Sequence, residues 1–353
     1  MSGDLLTYKG AMPKSTAETL KWHASRNREI AIEPDMPIID PHLHIFGSNK
    51  DTHFYRLEDY TQDLAGGHRV LKTVYIEAYR SGWRTSGPDH LRSVGEVEMI
   101  VAQTEQALVA PFGNCEFAAG IVANVDFTKG AWVSETLEAH TIAAKGRLRG
   151  VRQVAAYDDG LVGSFIKELP PERLMQDQAF QEGLSKLNGL GLSFDVWIYH
   201  HQLLELISLV DKFPEINFVL NHLGGLIGID TFRVNRADTL AIWKLHLQYL
   251  AERPNVFIKV GGMGMPVFGF GFEHQVHPAT SQQMAAAWRP LIETCISVFG
   301  TNRCMFESNF PVDRQSAGYT EVWNAFKAVT KGMTPTERRQ LFFETASQVY
   351  RLY

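Results

Sequence analysis

Cysteine is scarce in this chain. Its 353 residues include three, Cys115, Cys295 and Cys304, odd in number and widely spaced. That excludes a cysteine-rich zinc module and suits a reducing compartment, so a disulfide-free, cytoplasmic protein is expected. Positive charge is also short. Lys and Arg number 34 against 39 Asp and Glu, a formal net charge of −5, with no long basic run. Neither nucleic acid nor an anionic membrane surface is an expected partner. No apolar run approaches the length of a membrane span. The opening residues, Met1 to Lys9, lack a basic segment leading into an apolar one, so no signal peptide is expected. Internal repeats and Pro/Ser-rich linkers are missing as well.

What is present is material for a large core, since 45% of the residues are hydrophobic and 21% charged. The length fits two average domains or one large α/β barrel. From residue 37 on, apolar runs of strand length alternate with helical patterns. The predicted strands are Pro37–Asp40, Lys72–Ala78, Ala119–Val125, Leu148–Ala155, Leu192–Tyr199, Asn217–Asn221, Asn255–Val260 and Arg303–Glu307. Helical periodicity covers Val97–Val109, Ser134–Ala144, Asp177–Leu187, Leu203–Lys212, Ala237–Ala251 and Gln282–Val298. Helices at Gly318–Thr330 and Thr334–Leu352 close the chain, the last with a capping-box start at Thr334 and Glu337. Eight such alternations without a linker predict a single (β/α)8 TIM barrel over residues 37–353. Residues 1–36 read as an N-terminal arm. Ser15 caps a short helix from about Thr16 to Arg26, and Pro34 and Pro37 lead into the first strand. The arm is expected to pack on the body or on a second subunit, and a homo-oligomer is expected.

Function in such a barrel sits at the C-terminal ends of the strands. Strand one delivers Asp40-Pro41-His42-Leu43-His44. Side chains alternate on a strand, so the two imidazoles share a face while Leu43 turns into apolar packing. Two imidazoles on one face make a nascent metal site or an acid–base site. Strand two contributes Glu77, strand four Arg152, strand five His200 and His201, strand six Asn221 and His222, strand seven Lys259, and strand eight Glu307, Asn309 and Asp313. Arg80, Trp83 and Arg84, after strand two, are candidates for gripping an anionic substrate, because an Arg fork matches carboxylate geometry. The glycine-rich run from Val260 to Pro278 misses the spacing of a dinucleotide fingerprint. It reads instead as a mobile apolar lid, with His274 and His277 solvated on it.

The ordered motifs Asp40-Pro-His42-Leu-His44, Gly150-Val-Arg152, Phe194-Asp195-Val-Trp-Ile-Tyr-His200, Asn221-His222-Leu-Gly-Gly and Met305-Phe-Glu-Ser-Asn309-Phe-Pro311 span residues 37–352. In these the chain resembles the amidohydrolase superfamily, in its second amidohydrolase-related branch of sugar and aromatic lactonases and some decarboxylases. The resemblance implies a hydrolase that opens a small carboxylated lactone with activated water. It implies one divalent metal, zinc before manganese, on His42, His44 and one or both of His200 and His222; in metal-free relatives the His cluster itself polarises the carbonyl. Arg152 or Lys259 would hold the oxyanion or a substrate carboxylate. Two departures stand out. Arg152 replaces the strand-four Lys or Glu that bridges two metals, which argues against a two-metal centre. Asn309 replaces the strand-eight Asp that acts as general base, and an amide cannot take that proton. Asp313 and then Glu77 are the expected substitutes. The rivals are a metal-dependent decarboxylase of an aromatic or unsaturated acid and a non-catalytic binding barrel.

Overall fold

β-Branched and apolar residues fill eight short runs with few breakers, and each becomes a strand. The computed structural model describes residues 10–78, 80–107 and 115–353. Its strands are β1 Ile38–Leu43, β2 Val70–Ile76, β3 Glu116–Asn124, β4 Leu148–Val154, β5 Ser193–Trp197, β6 Phe218–Leu220, β7 Val256–Val260 and β8 Cys304–Phe306. They lie in sequence order in one sheet, every neighbouring pair parallel. The barrel closes from β8 to β1 by a thin seam. His44 N–H donates to Phe310 O at 2.8 Å and Asn309 N–H to His42 O at 3.0 Å, and a single bridge joins Leu43 and Phe310.

Alternation along the strands divides the core. Ile39, Val74, Val122, Val219 and Met305 pack with Val349, Tyr350 and Leu352 near the chain's end. Ile38, Tyr75, Ile121, Phe194 and Ile258 join the larger core cluster, which also holds helix residues such as Leu206, Trp243 and Trp288. The connecting helices follow the predicted periodicity closely, including Leu203–Lys212, Arg236–Ala251 and Ser281–Phe299. The predicted end of the third-strand-side helix, at Val109, lies outside the described residues. Leu57–Leu64 forms a helix the sequence pattern did not announce. The predicted helix Thr334–Leu352 is instead Pro335–Arg339, a π turn at Gln340–Glu344, and Thr345–Val349.

The arm packs on its own barrel. Ser15 caps the helix Thr16–His23 in a capping box with Glu18. Beyond it, Glu29 N–H donates to Glu321 at 2.7 Å, and Lys327 donates to the carbonyls of Ile32 and Glu33 at 2.9 and 2.8 Å. All three cysteines are free. No helix among the described residues is long and apolar enough to cross a membrane.

Candidate active site

Pro41 has no N–H to give the ladder, and β1 slips register between Asp40 and Leu43. That irregularity aims both histidines at the C-terminal end of the barrel. His42 Nε2 lies 3.2 Å from His44 Nε2. His44 Nδ1 sits 2.9 Å from the Ile76 carbonyl, so Nδ1 carries the proton and Nε2 is a bare acceptor. After β6 the chain turns through four consecutive left-handed residues, His222 to Gly225, with φ between 52° and 74°. A Cβ on Gly225 would meet Ile198 O at 2.1 Å, so only glycine closes this turn. The turn swings His222 back over the barrel, where its Nδ1 meets Glu307 Oε1 at 2.7 Å. Glu307 Oε2 lies 2.7 Å from His42 Nδ1 but makes no directed hydrogen bond. One carboxylate thus stands between two imidazoles. His42, His222 and Glu307 hold ligand-type atoms within 4.8 Å of one another.

Two buried ion pairs flank this cluster. Arg152 Nε donates to Glu77 Oε1 and its Nη2 to Glu77 O, both at 2.7 Å. Lys259 Nζ donates to Asp195 Oδ2 at 2.7 Å, and it lies 3.3 Å from His42 Nδ1. Tyr350 OH and Asn221 Nδ2 complete the shell of Asp195 at 2.9–3.0 Å. Burial, then the charges of Arg152 and Lys259, hold His222 well below the ordinary imidazole value. Burial and Lys259 do the same to His42. Burial pushes Glu307 up to about 8. Above the cluster opens a cavity of about 770 Å³, lined on its floor by His44, Glu77, Arg152, Trp197, His222 and Asn309.

The family model described as amidohydrolase matches residues 39–352. The chain belongs to the amidohydrolase family. This amidohydrolase is 30% identical over 331 residues to an uncharacterised protein, y4mH, of Sinorhizobium fredii, covering 90% of this chain and 99% of that one. It is 26% identical over 210 residues to L-fucono-1,5-lactonase of Burkholderia multivorans, covering 58% of this chain and 64% of that one. Its fold matches a zinc-bound amidohydrolase crystal structure from Burkholderia multivorans with a TM-score of 0.65 at 20% identity, over 90% of this chain and 99% of that chain.

Several residues singled out in the sequence of this amidohydrolase lie away from the cavity. His200 is buried against Phe232, and its Nδ1 accepts from Ile227 N–H at 3.3 Å. His201 is exposed and meets the Tyr157 carbonyl at 2.9 Å. Asp313 is buried under the loop after β7, accepting from Gly264 N–H and from Asn309 Nδ2, both at 2.8 Å. Its carboxylate is therefore occupied in fixing that loop and does not reach the cavity. Arg84 pairs with Glu98 on the surface and Trp83 Nε1 donates to Glu96 at 3.2 Å, both outside the cavity lining. Arg80 is at the mouth, bonded to Glu168 at 3.0 Å. Lys259 sits beneath the floor, sealed from the cavity. The expected mobile lid is a packed wall: residues 261–268 are buried, and Met265 and Val267 line the cavity. His274 and His277 are exposed on the outer part of the same segment, as expected. Asp195 and Glu307, named in the strand motifs without a role, are the residues whose part in the site the sequence did not assign. Their signal was a carboxylate at an inward position of a strand or just past its end, beside residues already chosen.

Proposed function

We propose that this amidohydrolase opens a small lactone by attack of water. What supports the reading best is the Glu307–His222 pair at 2.7 Å, with His222 and His44 on the cavity floor and His42 Nε2 just behind, 3.2 Å from His44 Nε2. With Nδ1–H given to Glu307, His222 keeps a bare Nε2. That nitrogen takes a proton from the attacking water as the water oxygen bonds to the carbonyl carbon. It then returns the proton to the ring oxygen as the carbon–oxygen bond breaks, leaving a hydroxy acid. In its carboxylate form, which prevails above its raised value of about 8, Glu307 fixes the tautomer and stabilises the imidazolium, and the burial that keeps His222 neutral leaves Nε2 free to accept. Arg152, anchored by Glu77, faces the oxyanion or a substrate carboxylate. Asn309 needs no basic role here, and its left-handed φ of 53° is one that Asn tolerates.

The residues also fit one divalent ion. Two imidazole nitrogens 3.2 Å apart match an edge of a tetrahedral site with bonds of about 2.0–2.1 Å. Three buried carboxyl groups, Glu77, Asp195 and Glu307, surround the cluster with two buried cations, Arg152 and Lys259. His42 and His44 would hold such an ion through these nitrogens, with Glu307 Oε2 orienting the His42 ring from its Nδ1 side at 2.7 Å. Bound there, it would acidify a water and polarise the carbonyl. Imidazole favours zinc or manganese over magnesium, and the positive charge of Arg152 and Lys259 opposes a second ion.

The test is a panel of carboxylated and sugar lactones assayed by acid release, with protein purified without chelator and its metal counted by mass spectrometry. Turnover that falls about 10²–10⁴-fold in His222→Gln is expected. Carbon dioxide release from aromatic acids, or no lactone opened with zinc or manganese added, overturns the reading. Two ions per chain would contradict the single-ion site.

A further inference from the structure

The arm precedes the stretch matched by the family model, which begins at residue 39. Yet its residues Ala11 and Met12 line the cavity. They are fixed there from several sides. His53 Nε2 meets Met12 O at 3.1 Å, tying the arm to the loop after β1. Lys14 N–H donates to Gln315 Oε1, and Gln315 Nε2 returns a bond to Lys14 O, both at 2.9 Å, tying it to the loop after β8. Gly10 lies beside Ser164 of the loop after β4, since a Cβ there would come within 3.9 Å of Ser164 O. Residues 10–12 therefore bridge the mouth from the β1 side to the β4 side.

The chemistry changes with depth. The floor presents imidazoles, Glu77 and Arg152, whereas the outer wall presents Met12, Phe46, Phe165, Ile166, Val267 and Val312. Charged groups at the mouth, Asp51, Arg80 and Lys167, sit at the rim of that wall. A cavity of about 770 Å³ is far larger than an unsubstituted six-membered lactone fills. We infer that the substrate is a lactone bearing an apolar substituent, and that Met12 of the arm closes the wall this substituent packs against. The inference rests on the lactonase reading for the identity of the ring, and on the cavity lining for the substituent.

Uncleaved analogues separate the two. Binding of δ-lactams carrying a methyl, propyl or heptyl chain is measured by calorimetry on the full chain and on Met12→Ala and Met12→Trp. In the native chain affinity should rise about three- to fourfold per methylene until the wall is reached, the ratio that about 0.8 kcal/mol per buried methylene implies. Met12→Ala should flatten the rise for heptyl, and Met12→Trp should abolish heptyl binding while sparing methyl. Unchanged melting and near-ultraviolet circular dichroism show that both variants fold. No gain with chain length in the native chain, or identical chain-length profiles in all three proteins, overturns the inference. Chain-length-dependent lactam binding with no lactone opened overturns the hydrolase reading and leaves the apolar wall standing.

Discussion

Arg152–Glu77 and Lys259–Asp195 are both buried ion pairs at 2.7 Å, each reaching past one intervening strand, from β4 to the end of β2 and from β7 to β5. Only the first lines the cavity. Glu77 takes its bonds from Arg152 and, at 3.5 Å, from Asn124. Asp195 is closed off by Lys259, Tyr350 and Asn221, and Lys259 is wholly buried. The same pairing of charges thus has two uses. Beside a cavity it fixes a guanidinium where a ligand can meet it. Beneath the floor it sets the electrostatics of His42 from below, with no face left for a ligand.

The largest effect should come from breaking the sealed pair. Lys259→Met leaves Asp195 buried without a counter-ion, which costs about 3–5 kcal/mol. Urea unfolding at neutral pH measures it, and a loss no greater than that of Arg152→Met would erase the distinction. Arg152→Met should instead lower turnover by about 10²–10³ with a smaller loss of stability, because cavity water can solvate Glu77. A turnover within twofold of the native chain would remove Arg152 from the site. Asp313→Asn comes next. It weakens the hold on Gly264, so about 1–3 kcal/mol of stability should go while turnover drops less than about tenfold. A collapse of turnover in a fully folded Asp313→Asn would restore that carboxylate as the base.

The smallest effect concerns His200. Burial lowers it from 6.5 to about 3. Between those values the unfolded chain binds a proton that the folded chain does not, so its contribution is present above pH 6.5 and lost as the pH falls. His200→Gln should remove about 1 kcal/mol of the stability difference between pH 7 and pH 5.5. Its metal content should equal that of the native chain, and a lower content would place His200 among the ligands.

Much of the barrel was legible. All eight predicted strands overlap their observed counterparts within about three residues at either end because apolar runs of that length must be buried on both faces. β1 runs three residues further, past Pro41, because a bulge lets a strand continue where proline would otherwise stop it. The helix Leu57–Leu64 was hidden because LEDYTQDL has little apolar character, and two of its four buried residues, Leu57, Asp59, Tyr60 and Asp63, are aspartates. Asp313 was chosen for its nearness to Asn309 in sequence, but the turn after it sends the carboxylate beneath Gly264. The glycines of the segment after β7 suggested mobility. They serve close approach instead: a Cβ on Gly264 would meet the Asp313 carboxyl at 2.8 Å, and one on Gly261 would meet Glu307 O at 2.3 Å. Sequence spacing shows which residues are small, and only the fold shows what they are small against.

The seam has a consequence for how the protein is lost on warming. Elsewhere in the sheet each strand is held by a run of paired residues, but β1 and β8 meet through one bridge and the few bonds around Asn309 and Phe310. The arm runs outside that seam, reaching Gln62 through Arg28 on the β1 side and Glu321 through Glu29 on the β8 side. It acts as a hoop across the weakest stave. His42 stands on one side of the gap and Glu307 on the other. Local opening there parts them before the remaining strands lose a partner. Heat should therefore silence the enzyme several degrees below the temperature at which its circular dichroism signal collapses.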